Sequence, residues 1–115
     1  MRPQGVDSLM VISGPLTVSS RDTIVKLAAS THIPSAYEYP EFARAGGLLA
    51  YGPSIPAQFR RAATYVDSIL KGMAPGDLPI EQPTEFELVI NLRTAGALGI
   101  KLPRAVLLRA DELIQ

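Results

Sequence analysis

The side chains that could do acid-base or nucleophilic chemistry are few in this chain, and they are scattered. His32 is the only histidine and there is no cysteine. A Ser/His/Asp triad would have to use His32, yet the chain has no Gly-x-Ser-x-Gly turn to hold a nucleophile. Glu85 and Glu87 could project together as a carboxylate pair, but a solvated strand face explains their spacing better. The residue types therefore argue against an enzyme.

Metal, cofactor and nucleic-acid sites are equally poorly supported. One histidine, no cysteine and scattered acids provide no metal-ligand spacing, so we predict no metal site. The glycines at 46, 47, 96 and 99 complete neither a phosphate loop nor a dinucleotide fingerprint, so we predict no cofactor. Eleven basic and eleven acidic residues cancel, and the adjacent pair Arg60 and Arg61 is read as solvated helix surface. We therefore expect no nucleic-acid binding.

The first third of the chain predicts a strand, a helix and a second strand. Its 115 residues are 47% hydrophobic and 19% charged, which suits one globular domain. The apolar run Ser8 to Ser13 predicts a strand, and Ser19 or Ser20 can cap a helix that ends near Thr31. A shorter strand is predicted over Ile33 to Tyr37. This order indicates a parallel crossover unit.

The rest of the chain continues the alternation of strands and helices. Pro40 to Ala45 predicts a single helical turn, Leu48 to Tyr51 a strand, and the period of apolar residues from Ala57 to Lys71 a helix. A Pro-rich connector, Ala74 to Pro83, follows. The remaining elements are predicted as a strand over Glu85 to Asn91, a helix over Leu92 to Leu98 and a final helix that begins at Pro103. The sequence therefore favours a three-layer α/β/α domain.

A possible binding site is indicated where the predicted strands end. Ser13 and Gly14 end the first strand, Tyr37 and Tyr39 lie at the end of the second, and Tyr51 ends the third. Ligands in open α/β sheets bind beyond the carboxyl ends of the strands, so these residues could line a cleft. Plain packing explains them about as well. This pattern favours binding over catalysis.

The chain resembles a known family in three blocks that match in order and spacing. They are AGGLLAYGP from residue 45, FRRAATYVDSILKGMAPGDLPIEQPTEFELVINLRTAGALGI from residue 59, and LPRAVLLRADELIQ at the end. These blocks resemble the C-terminal portion of the tryptophan/tyrosine-type ABC-transporter substrate-binding protein family. The resemblance implies the last part of a two-lobed, type I periplasmic-binding-protein-like fold.

The resemblance also implies a division of the chain and a set of ligand contacts. Residues 5–45 would belong to the second lobe, residues 46–78 would cross to the first lobe and contribute a helix to it, and residues 79–115 would return. The family's ligand contacts come from strand ends that face the cleft. Carried over to this sequence, the implied contact residues are Ser13, Gly14, Tyr37, Glu38, Tyr39, Gly52 and Ser54.

The function implied by the resemblance is transport. Members hold a small molecule between two lobes and present it to an ABC permease and its ATPase, outside the cytoplasm or in the periplasm; an amino acid is one candidate ligand. We expect this chain to be a C-terminal fragment without a signal peptide, without catalytic activity, and inclined to associate with itself. The alternative is a free-standing flavodoxin-like or response-regulator-like regulatory module, which would need acids clustered at strand ends, where only Glu38 qualifies.

Overall fold

A computed structural model describes residues 5–115, which form one mixed five-stranded sheet. The strands lie in the order β1 to β5. The first three are mutually parallel, β4 is antiparallel to β3, and β5 is parallel to β4. Their bounds are Leu9–Val11 (β1), Ser35–Tyr37 (β2), Leu49–Pro53 (β3), Phe86–Asn91 (β4) and Glu112–Ile114 (β5).

Six α-helices connect these strands within the described residues. Their bounds are Pro15–Ser19 (α1), Arg21–Ser30 (α2), Pro40–Arg44 (α3), Ile55–Leu70 (α4), Leu92–Ala97 (α5) and Arg104–Leu107 (α6), with a 3₁₀ turn at Pro75–Asp77. Among residues 5–115, no helix combines the length and the apolar character needed to cross a membrane. The α/β class and the first parallel crossover are confirmed.

The structure adds one short helix and corrects one prediction. The helix predicted to follow Ser19 or Ser20 is confirmed as α2, whose N-cap is Ser20, but a separate helix that the sequence did not predict, α1, precedes it with Pro15 in its first turn. The chain also ends in a strand, not in a helix, because α6 stops at Leu107 and Leu113 then pairs with Ile90 of β4. Both missed elements have five residues or fewer, which is too short to show a period.

The main hydrophobic core lies between the sheet and the helices α2 and α3. Its buried residues are Val11, Val25, Tyr37, Phe42, Ala43, Ala50 and Val89. Side chains alternate across a strand, so Ile90 lies on the opposite face from Val89, and both are fully buried. The sheet is therefore covered on both faces at β4, as a three-layer arrangement requires.

A buried asparagine joins β4, α5 and α3. The side-chain amide of Asn91 donates to the carbonyl of Ala43 at 3.1 Å, and its oxygen accepts from the backbone N–H of Thr94 at 3.1 Å. The Thr94 hydroxyl donates to the Gly46 carbonyl at 2.8 Å. Asn91 therefore caps α5 and satisfies a carbonyl at the end of α3 at the same time.

An arginine on α3 links the same helix to the two reversed strands. Arg44 donates to Glu112 of β5 at 2.7 Å and to Glu87 of β4 at 3.2 Å, and it lies 3.6 Å from Glu41. The hydrogen bond to Glu112 is the main reason that the pKa of Arg44 is raised. This network holds β4 and β5 against α3.

The helix α4 extends away from this core. None of its sixteen residues is buried. The radius of gyration is 17.6 Å, against roughly 13 Å for a compact domain of this length. The chain measures 57 × 31 × 21 Å along its principal axes. The structure is therefore a compact sheet domain that carries a projecting helical arm.

Replacement of Asn91 should separate its two roles. Asn91→Ala loses the cap of α5 and one of the two hydrogen bonds to the buried Ala43 carbonyl, which also accepts from the Gly46 N–H, so we expect a loss of about 2 kcal/mol in the free energy of unfolding, measured by urea denaturation. Asn91→Ser keeps a capping oxygen and should lose about half as much. Equal losses for the two variants would show that the cap contributes nothing.

Candidate ligand-binding site

The carboxyl ends of β1, β2 and β3 meet at one edge of the sheet. Because these strands are parallel, the residues that follow them lie side by side at this edge. Ser13 and Gly14 follow β1, Glu38 follows β2, and Ser54 follows β3. We call this group of four residues the strand-end edge.

Glu38 connects two of the loops at the strand-end edge. Its carboxylate accepts a hydrogen bond from the backbone N–H of Ser13, with 2.9 Å between nitrogen and Oε2. The side chain is half-buried, and a carboxylate has lone pairs for further donors. Glu38 therefore holds the loop after β1 in place and can still accept a hydrogen bond from a ligand.

Gly52 allows the backbones of β2 and β3 to approach closely. It is buried, and a Cβ atom at this position would overlap the carbonyl oxygen of Glu38 and lie 2.8 Å from its carbonyl carbon. Only glycine leaves that space open. The contribution of Gly52 to the edge is thus the position it gives to Glu38.

Ser54 lies where the chain leaves the sheet. Its hydroxyl accepts from the N–H of Ala57 at 3.4 Å, which caps α4, and its own N–H donates to the carbonyl of Glu85 at 3.1 Å. The residue is buried. Ser54 therefore fixes the start of α4 and joins the outgoing chain to the returning one.

Ser13 brings an unsatisfied polar atom to the strand-end edge. Its hydroxyl oxygen is buried and has no hydrogen-bond partner within residues 5–115. Leaving a buried hydroxyl unpaired costs free energy, so such groups call for a specific partner. The neighbouring N–H of Gly14 is already satisfied by the Thr17 hydroxyl at 2.7 Å. The Ser13 hydroxyl is thus a hydrogen-bonding group of this edge that has no partner among the described residues.

The tyrosines predicted at the strand ends pack against other side chains. Tyr37 is 2% exposed and stacks on Phe42 with ring centroids 4.9 Å apart. Burial raises the pKa of its hydroxyl, which lies near Ser35 but forms no well-aligned hydrogen bond with a described residue. Tyr39 is half-buried against the core. Tyr51 is exposed and stacks on Phe86 at 5.7 Å, so all three rings serve packing.

An open cleft of about 630 Å³ adjoins the strand-end edge between α4 and residues 81–85. Its polar lining includes Ser54, Gln58, Arg61, Tyr65, Glu81 and Glu85. Arg61 donates to Glu81, with 2.6 Å between Nε and Oε2, and lies 5.1 Å from the centre of the Tyr65 ring. The Arg61 guanidinium lowers the pKa of Glu81. The Tyr65 hydroxyl donates to the carbonyl of Pro79 at 2.7 Å, which joins α4 to the connector before residue 81.

The remaining chemical candidates lie away from this site. His32 has a positive φ of 53° and lines a cavity of about 220 Å³ with Arg93 and Thr94. Glu87 is paired with Arg44, so it does not form a carboxylate pair with Glu85. In the part of the chain that the structure describes, no three His, Cys, Asp or Glu side chains converge to hold a metal.

Sequence reasoning missed the pairing of Arg61 with Glu81. Arg61 was read as solvated helix surface, and Glu81 lies in the connector, twenty residues away. No local spacing relates the two positions. Only the return of the chain from α4 to β4 brings them together.

Solved structures share this fold. A conserved domain protein from Vibrio cholerae is 27% identical with a TM-score of 0.87, over 93% of this chain and 36% of that chain. An ABC domain in complex with L-Trp from Streptococcus pneumoniae is 26% identical with a TM-score of 0.86, over 96% and 38%. A ligand-free, open substrate-binding protein from Clostridium difficile shares the fold at 20% identity and a TM-score of 0.63, over 94% and 36%. The chain thus spans little more than a third of each.

The fold and these likenesses define a periplasmic-binding-protein-like α/β domain. A family described as ABC transporter substrate binding protein matches residues 2–114. The chain belongs to this family, whose members bind small molecules, work with ABC permeases and are not enzymes. The family is typically extracytoplasmic or periplasmic. A search of curated proteins gives no match.

Substitution at Gly52 should show how strictly the edge depends on the approach of β2 and β3. Gly52→Ala forces a Cβ atom into the Glu38 carbonyl, so we expect a loss of about 3 kcal/mol or more in urea denaturation. Gly76→Ala is the matched control, because nothing lies within 4 Å of its added Cβ. If Gly52→Ala behaved like the control, the close approach would be incidental.

Proposed function

We propose that this chain is the C-terminal part of the solute-binding component of an ABC importer, and that the strand-end edge holds part of a small-molecule ligand. The observation that carries this proposal is the meeting of two groups at the carboxyl ends of parallel strands: the Glu38 carboxylate, which accepts from the Ser13 backbone N–H, and the buried Ser13 hydroxyl, which has no partner among residues 5–115. Both groups are poised for hydrogen bonding, and membership of the family supplies the role.

The polar groups at this edge suit a ligand with a hydrogen-bond donor, such as the ammonium group of an amino acid. Glu38 would accept from that group, and Ser13 would complete its hydrogen bonding by donating to a ligand oxygen or by accepting. A structural neighbour holds L-Trp, which supports the same class of ligand. Gly14 and Ser54 would border the ligand without making its main contacts.

The structure also suggests how the chain would divide between two lobes. Residues 49–53 pair with both β2 and β4, so they stay with the sheet of the second lobe. The crossing would start at Ser54 and end at Glu85, which hydrogen-bond to each other at 3.1 Å. The projecting helix α4 would then pack on the first lobe, a role supported by its lack of buried residues.

Ligand-driven closure would require the first lobe. A ligand that touches both lobes favours the closed state by its difference in contacts, and the permease would recognise that state. Residues 5–115 supply only one wall of the site, so tight binding needs the other. The complete protein would work outside the cytoplasm, as members of the family typically do.

Ligand titration of the 115-residue chain should give weak and local binding. We expect no saturable heat in calorimetry with aromatic or branched amino acids, but millimolar-range shifts of the Ser13, Gly14 and Glu38 amides in ¹H–¹⁵N spectra. Glu38→Gln should reduce these shifts, because the neutral amide attracts an ammonium group less strongly. Glu41→Gln, which removes a charge beside Arg44 on α3, is the matched control.

Two outcomes would contradict this proposal. Tight calorimetric binding by the chain would overturn the need for a second lobe. Shifts confined to another part of the chain, or insensitive to Glu38→Gln, would overturn the placement of the ligand at the strand-end edge.

A further inference from the structure

The helix α4 carries an apolar face that nothing in residues 5–115 covers. We call it the α4 face. Its residues recur at i, i+3, i+4, i+7, i+10 and i+11, the pattern of a helix that packs against another helix. Phe59 is 73% exposed, Val66 55% and Leu70 81%. The α4 face consists of Phe59, Ala62, Ala63, Val66, Ile69 and Leu70.

The chain exposes enough surplus surface for a stable interface. Its accessible surface is 8090 Å², whereas a compact monomer of 12.3 kDa exposes roughly 6,100 Å². The surplus of about 2,000 Å² exceeds the roughly 800 Å² that each partner buries in a standard interface. Much of it belongs to the α4 arm, whose helix has no buried residue.

We propose that a second copy of the chain covers this surface, with the two α4 helices packed antiparallel about a two-fold axis. The proposal concerns the 115-residue chain by itself and does not depend on ligand binding. In a two-fold pair the same surface of both copies forms the interface, so neither copy keeps an exposed α4 face. The α4 face of each copy would then be buried against the α4 face of the other.

The sizes of the side chains favour the antiparallel arrangement. With the centres of the two α4 faces aligned, Ala63 of one copy faces Val66 of the other, and Phe59 faces Leu70. The small Ala63 thus lies opposite the larger Val66 in the middle of the seam, which fills space well. A parallel pair in register would place alanines against alanines and Phe59 against Phe59, leaving a gap in the middle.

The charges beside the α4 face favour the same arrangement. Arg60 and Asp67 are two helical turns apart on one flank, and Arg60 forms no ion pair with any residue that the structure describes. Asp67 accepts from Lys71 at 2.7 Å. Antiparallel packing brings Arg60 of one copy beside Asp67 of the other, twice, and opposes the two helix dipoles.

Sedimentation velocity over a dilution series tests this dimer. We expect a monomer–dimer equilibrium that Val66→Glu weakens at least a hundredfold, because a charge would be buried at the centre of the seam. Val66 is exposed in a single copy, so this variant should still fold. Met10→Glu is the matched control: Met10 is 74% exposed on β1, outside the α4 face, and the substitution should leave the dimer unchanged.

Charge reversal and cross-linking test the direction of the pair. Arg60→Asp should weaken the dimer about tenfold, and the addition of Asp67→Arg should restore it. The chain has no cysteine, so Ala63→Cys and Val66→Cys can be introduced singly. Mixed copies should form the disulfide between positions 63 and 66 faster than either variant forms a disulfide with itself.

Three results would overturn the proposal. One is a monomer at every concentration, which would leave the α4 face for another segment of a longer protein. The second is a dimer lost in Met10→Glu but kept in Val66→Glu, which would move the interface to the β1 edge of the sheet. The third is cross-linking of like positions, which would mean parallel helices.

Discussion

The close contact between Gly52 and the backbone of Glu38 is the constraint on which the rest of the binding edge depends. Glu38 is held from two sides, since its carbonyl lies against Gly52 and its carboxylate accepts from the N–H of Ser13. A side chain at residue 52 would push the end of β2 away from β3. Ser13 would lose its partner, and Ser54, two residues on, would move with the start of α4. The absence of a Cβ atom at Gly52 therefore fixes both the positions of the strand ends and the point where the chain leaves the sheet to form α4.

The long elements of this fold could be predicted because their periods extend over enough residues. The structure confirms a helix in the 57–71 region, although it starts at Ile55, since Pro56 fits a first helical turn and Ser54 caps it. The strand before Asn91 is also confirmed. By contrast, β5 depends on distant pairing: Asp111 donates its N–H to the Leu88 carbonyl, and its carboxylate accepts from the Leu88 N–H at 2.7 Å. Three residues at the chain end carry no period that could reveal such a partner.

The sequence could predict which residues lie at the strand-end edge, because their positions relative to the strands decide this. Ser13, Glu38 and Ser54 follow parallel strands, so the sheet alone brings them to one edge. The direction of a side chain in a three-residue strand is a different matter, because core packing decides it. Tyr37 turns inward to stack on Phe42, and Gly47 is bare because a Cβ there would overlap the Tyr37 ring. The ordered ring pair is thus a feature of the core.

The reversal of the sheet between β3 and β4 explains both the arm and its exposed face. These strands are antiparallel neighbours, so the chain leaves at Ser54 and returns at Glu85 at one point, where the two residues hydrogen-bond. The arm therefore adds no strand to the sheet and buries nothing in its core. Isolated helices of this length are marginal in water. Ser54 caps its start, and at its end the N–H of Met73 bonds to the Ser68 carbonyl beyond Gly72, whose φ is 102°. These caps order α4 but leave its apolar side in water. Because α4 buries nothing against the sheet of its own chain, the contact that stabilises it most must come from a surface outside that sheet.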